Sequence, residues 1–93
     1  MASKLLRVER SIHIYKNEDN DFVEEINVDF IPLDTLKEIV PPPPDDPLLY
    51  DGYELDLSQL QKINAYLPEK IEPDCNVYLY VLICLGIYDW DGA

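Results

Sequence analysis

The run Val77-Tyr78-Leu79-Tyr80-Val81-Leu82-Ile83-Cys84-Leu85 constrains the fold of this chain more than any other stretch. It is rich in β-branched and aromatic residues, which favour the pleated surface of a sheet. Side chains alternate across a strand, so Val77, Leu79, Val81, Ile83 and Leu85 make one face and Tyr78, Tyr80, Leu82 and Cys84 the other. Apolar residues on both faces predict a central strand. Even extended to Tyr88, the run is shorter than the ~20 residues a membrane-crossing helix requires.

Two further strands precede it. Over residues 5–16, Leu6, Val8, Ile12 and Ile14 share one parity, and Arg7, Glu9, Ser11, His13 and Tyr15 share the other. Beyond the turn Asn17-Glu18-Asp19-Asn20, the residues Phe22, Ile26, Val28 and Phe30 oppose Val23, Glu25, Asn27 and Asp29. Directly paired residues of an antiparallel hairpin share a face, so the loop must hold an odd number of residues. A loop at 17–19 pairs Ile14 with Phe22, and a loop at 17–21 pairs Ile14 with Glu24. The shorter loop is preferred, because it sets Arg10 opposite Ile26 and diagonal to Glu24, where the two charges on the apolar parity offset each other.

Pro32 suits the first turn of a short helix that buries Leu33, Leu36, Ile39 and Val40. Pro41-Pro42-Pro43-Pro44 then forms a stiff extended connector, closed by the turn Asp45-Asp46-Pro47. Leu48 to Leu55 reads as a short strand or hairpin arm. Asp56-Leu57-Ser58-Gln59 has the outline of a capping box, with Asp56 at the N-cap and Gln59 three residues on. Leu57, Leu60, Ile63, Asn64 and Leu67 trace the face of the helix that follows, until Pro68 stops it. The order β-β-α-β-α-β predicts an α+β fold in a single domain over residues 1–93. Its antiparallel sheet has three to four strands, with two short helices on one face and the other face open.

Charge narrows the partners. Seven Lys and Arg against nineteen Asp and Glu give a net charge of −12, while 47% hydrophobic residues set the chain apart from acidic disordered tails. Such a field repels phosphates and anionic lipid, so direct binding to nucleic acid or to a membrane is not expected, and a basic partner is favoured. The first residues run into mixed charge without the apolar segment of an export signal. Cys75 and Cys84 are nine residues apart in extended chain, beyond disulfide reach. Both points lead to the expectation of reduced thiols and a cytoplasmic location. Oligomeric state stays open.

No constellation for chemistry can be assembled. His13 is the only histidine; a catalytic one needs a nucleophile or an orienting carboxylate within hydrogen-bond reach, and no Ser or Cys has a local signature for that, so a solvent-facing, non-catalytic His13 is expected. One His and two Cys without close spacing offer no zinc site. Asn17, Asp19 and Asp21 imitate the start of a calcium loop, but Phe22 stands where its glycine is needed and Val28 where its glutamate is needed. Glycines at 52, 86 and 92 alone make no phosphate-cradling loop. The expectation is a protein that is not an enzyme, with no catalytic residue, no metal and no cofactor.

The open sheet face is what remains. Its outward parity is expected to carry Glu9, Ser11, His13 and Tyr15 from the first strand, Glu25, Asn27 and Asp29 from the second, and Tyr78 and Tyr80 from the last. Asp89, Trp90 and Asp91 repeat the acid and aromatic theme near the C-terminus. Tyrosines give rigid contact area and carboxylates pair with Arg or Lys, a combination suited to a basic protein surface.

From Leu36 onward the chain resembles the immunity proteins of cloacin and the ribosome-inactivating colicins, and relatives found beside contact-dependent toxins. The matching pieces are Leu36 and Ile39, the loop Pro44-Asp45-Asp46-Pro47, Tyr53, the helix end Asn64-Ala65-Tyr66-Leu67, Ile71, the strand Val77-Tyr78-Leu79-Tyr80 and the closing Asp89-Trp90-Asp91-Gly92. The resemblance implies an acidic protein that binds a basic nuclease toxin domain tightly and neutralises it. Two other readings stay open: a nucleic-acid mimic that inhibits a DNA-binding defence enzyme, and an acidic accessory or scaffold domain.

Overall fold

The computed structural model describes residues 4–89. Its elements run β1 (Lys4–Lys16), β2 (Phe22–Asn27), α1 (Leu33–Ile39), β3 (Tyr53–Glu54), α2 (Leu57–Asn64) and β4 (Tyr78–Asp89). The strands form one antiparallel sheet in the order β2-β1-β4-β3, so the chain has the α+β architecture that its pattern predicts. β4 lies between β1 and β3, the central position that its pattern predicts, with β3 paired to it at Val81 and Leu82.

Both helices cover the same face. Ile12 and Ile14 of β1 and Tyr80 and Leu82 of β4 pack with Leu36 and Ile39 of α1 and Leu60 and Ile63 of α2 in one core. The capping box at Asp56 is present. Its carboxylate accepts from the Gln59 amide at 2.8 Å, and the Gln59 side chain accepts from the Asp56 amide at 2.9 Å. Leu57, expected in the helix's apolar face, is exposed in the first turn of α2. Leu60, Ile63 and Leu67 are buried as that face requires.

The hairpin matches neither expected loop: the Lys16 amide donates to the Asp21 carbonyl at 2.9 Å across residues 17–20, and the pairing expected of the longer loop appears only beyond a bulge. Ile12 pairs with Ile26 and Ile14 with Glu24, and the register then shifts so that Tyr15 pairs with Phe22. Val23 is the extra residue of this bulge, which turns Phe22 to the open face. The expected neighbourhood of Arg10 and Glu24 does not form. The Arg10 carbonyl instead accepts from the Val28 amide at 2.9 Å. The buried Arg10 guanidinium donates to the Leu48 carbonyl at 2.6 Å and lies 6.0 Å from the Tyr50 ring centre. The 48–50 loop gives this buried charge an acceptor, while its buried Nε has no hydrogen-bond partner.

The ends of the sheet also depart from simple alternation. Leu6 is the extra residue of a second bulge, between Leu5 and Arg7 on β1, and is exposed along with Phe22 and Phe30, although all three carry the apolar parity in sequence. Among the described residues, β1 before Arg10 and β4 beyond Leu82 pair only with each other. This two-stranded ribbon contributes to extents of 45 × 31 × 28 Å and a radius of gyration of 14.6 Å, against about 12 Å for a compact chain of this length. Among the described residues no helix is long and apolar enough to cross a membrane.

Candidate functional site

The sheet face opposite the helices is built by the odd-numbered residues of both long strands. Arg7 pairs with Ile87, Glu9 with Leu85, Ser11 with Ile83, His13 with Val81 and Tyr15 with Leu79. On the β2 side the same face carries Asn27 opposite Ser11, Glu25 opposite His13 and Phe22 opposite Tyr15. On the β3 side Glu54 pairs with Val81, and a Cβ on Gly52 would lie 3.5 Å from side-chain atoms of both Ile83 and Val81. The centre is therefore an aliphatic stripe, Leu79, Val81, Ile83, Leu85 and Ile87, each half-buried. No helix covers it.

This overturns part of the expected face. In β4 the pairing aligns even residues with the even, core-facing residues of β1, so Tyr78 and Tyr80 point toward the helices. Tyr80 is 2% exposed, its hydroxyl accepts from the Asp74 amide at 3.1 Å, and burial raises its pKa above the ordinary tyrosine value. Tyr78 is half-buried against the same core. Parity within β4 could not reveal this, because both of its faces are apolar; only pairing with β1 says which one the helices take.

Other expected contacts are brought together. His13, Tyr15 and Phe22 form an aromatic group, with ring centres 5.5 Å apart for His13 and Phe22 and 5.8 Å for Tyr15 and Phe22. His13 is anchored on both ring nitrogens, Nε2 at 2.7 Å from Glu25 Oε1 and Nδ1 at 3.3 Å from the Tyr15 hydroxyl. Glu9 is reached by the Arg7 guanidinium. Asn27 ends β2, and Asp29 lies in the turn that follows it. The Asn27 side chain accepts from the Asp29 amide at 2.9 Å, and Asp29 accepts from the Arg10 amide at 3.2 Å. Asp89 ends β4 opposite Lys4, and Trp90 and Asp91 lie outside the described residues.

Phe22 was not among the expected contacts. Its parity assigns it to the core, and only the bulge at Val23 places it outside. The arrangement combines an aliphatic centre, an aromatic corner and carboxylates at Glu9, Glu25 and Glu54. Among the described residues no group of His, Cys, Asp and Glu is arranged to hold a metal ion.

Residues 9–82 match a family described as a domain of unknown function, DUF7683. The chain belongs to the DUF7683 family. The DUF7683 match runs from Glu9 in β1 to Leu82 in β4, and so takes in both helices, the whole of β2 and the His13, Tyr15 and Phe22 corner. Neither the curated proteins nor the solved structures yield a match to this chain.

Proposed function

We propose that this DUF7683 protein is an immunity protein that acts in the cytoplasm, docking its open sheet face on a basic toxin domain, a nuclease, and blocking it. The observation that carries the reading is the uncovered aliphatic stripe of β4, flanked by Glu9, Glu25 and Glu54, on a chain of net charge −12. Desolvating an apolar centre supplies affinity, and the surrounding carboxylates steer a positively charged partner and fix its register. A nuclease must attract phosphate, and its basic surface suits this field. The resemblance to the cloacin and colicin immunity proteins points to the same role. An aliphatic centre weighs against a nucleic-acid mimic, whose surface would present spaced carboxylates.

The test is titration calorimetry and stopped-flow binding against the C-terminal domain of a toxin encoded beside this protein. Tight binding is expected, with Val81→Asp weakening it about a hundredfold because a charge is buried at the interface centre. Glu25→Lys is expected to slow association and flatten its salt dependence. Unchanged affinity and salt dependence in both variants would remove the open face from the proposal.

A further inference from the structure

The helix-bearing side holds a second feature, independent of the open face. Where the hairpin end of the sheet meets the segment after α2, a groove of about 310 Å3 opens to solvent. That is the small end of the range of about 300–1,000 Å3 spanned by ligand pockets. Ile26, Ile71 and Tyr78 form apolar walls, and Glu24, Glu69 and Glu72 line it with carboxylates. The Tyr78 ring is held edge-on to Tyr80, with centres 6.3 Å apart and planes at 71°. Lys70, the one cation in the lining, is occupied elsewhere: its Nζ donates to the Asn64 and Leu67 carbonyls at 2.7 and 2.8 Å, at the end of α2. Among the described residues no ion pair engages Glu24, Glu69 or Glu72.

We propose that this groove takes the side chain of an arginine presented by a protein partner. The aliphatic stem of arginine suits the walls at Ile26 and Ile71. Its planar guanidinium stacks on a tyrosine face and offers a fork of donors to carboxylates, which a lysine ammonium does not. Charge complementarity selects the occupant: an apolar side chain would leave the three carboxylates without a partner, and an anion would be repelled. The bulge at Val23 links the two surfaces, because it sends Phe22 to the open face and Val23 into the groove on opposite sides of the β2 edge. A partner gripping that edge reaches both, yet the groove does not require the partner to be a toxin.

The experiment is a proton–nitrogen NMR titration of the full chain with acetyl-Gly-Arg-Gly-amide, its citrulline counterpart and its norleucine counterpart. The arginine peptide is expected to give saturable shifts at Val23, Ile26, Ile71 and Tyr78, with binding about tenfold tighter than for the uncharged citrulline peptide. The Glu24→Gln/Glu72→Gln double variant is expected to lose about the same factor with the rest of its spectrum unchanged. Val81→Asp, which disables the open face, should leave the arginine response intact. Equal binding of citrulline or norleucine, shifts centred on His13 and Val81, or no saturable shift would each overturn the proposal.

Discussion

The Tyr53 hydroxyl donates to Oδ2 of Asp46, and this contact ties the proline-rich connector to the sheet at β3. The same carboxylate accepts from the amides of Tyr50 and Asp51, both at 2.9 Å. Leu49, fully buried between them, sits at φ 56°, a left-handed conformation that disfavours a branched side chain. The loop holds that conformation because Asp46 gathers three donors and Leu49 fills the core. The Tyr53 hydroxyl and the two amides hold the Asp46 carboxyl below its ordinary value. In return the hydrogen bond to Asp46, helped by burial, pushes Tyr53 up to about 12.

Alkaline stability should report this bond. Between the ordinary value of 10.0 and about 12, the folded protein keeps the Tyr53 proton while the unfolded chain releases it. The folded state therefore binds more protons, and stability falls as pH rises through that window. Tyr53→Phe is expected to be less stable than the parent at neutral pH and to decline less steeply in that window. Chemical denaturation at a series of pH values measures both.

Asp46 acts in the opposite direction. Its folded pKa lies below the ordinary 3.8, so its contribution is present above that value and is lost as pH falls through it toward the folded pKa. Asp46→Asn should destabilise the protein at neutral pH and flatten the acid limb of the stability curve. Asp45→Asn, at an exposed neighbour, should do neither. Acid titration of intrinsic fluorescence separates the two variants.

The capping box allows a quantitative expectation. Removing the Asp56 side chain takes away the acceptor of the Gln59 amide, so Asp56→Ala should cost about 1 kcal/mol. Ser58→Ala, exposed in the first turn, should stay within about 0.5 kcal/mol of the parent. Urea midpoints at constant slope measure the difference.

Tyr80 and Phe22 should separate stability from binding. Tyr80→Ala empties a core position and is expected to cost about 3–5 kcal/mol. Tyr80→Phe leaves the Asp74 amide without its acceptor, at about 1 kcal/mol. Phe22→Ala removes an exposed ring and should change stability by only about 0.5 kcal/mol, while weakening the docking of a partner on the open face. Thermal unfolding alongside binding measurements distinguishes the two residues.

Local chemistry alone determined much of this protein. Pro32 and the proline run bound α1, Asp56 and Gln59 start α2, and the strand apolar on both sides lies between two others, β3 flanking it at Val81 and Leu82. Each follows from backbone geometry or from the period of one element. What the sequence left undecided was how elements align with one another. The apolar parity of β2 does not foretell the bulge at Val23, which moves Phe22 from the core side to the open face. β4 has two apolar faces, so nothing within it says that Tyr78 and Tyr80 turn inward and Leu79, Val81, Ile83 and Leu85 outward. Pairing with β1 settled that: Ile12 and Ile14 face the helices, and antiparallel register carries the even residues of β4 with them. A shift of one residue would have exchanged the faces, which is why the surface chemistry of this sheet belongs to the tertiary structure.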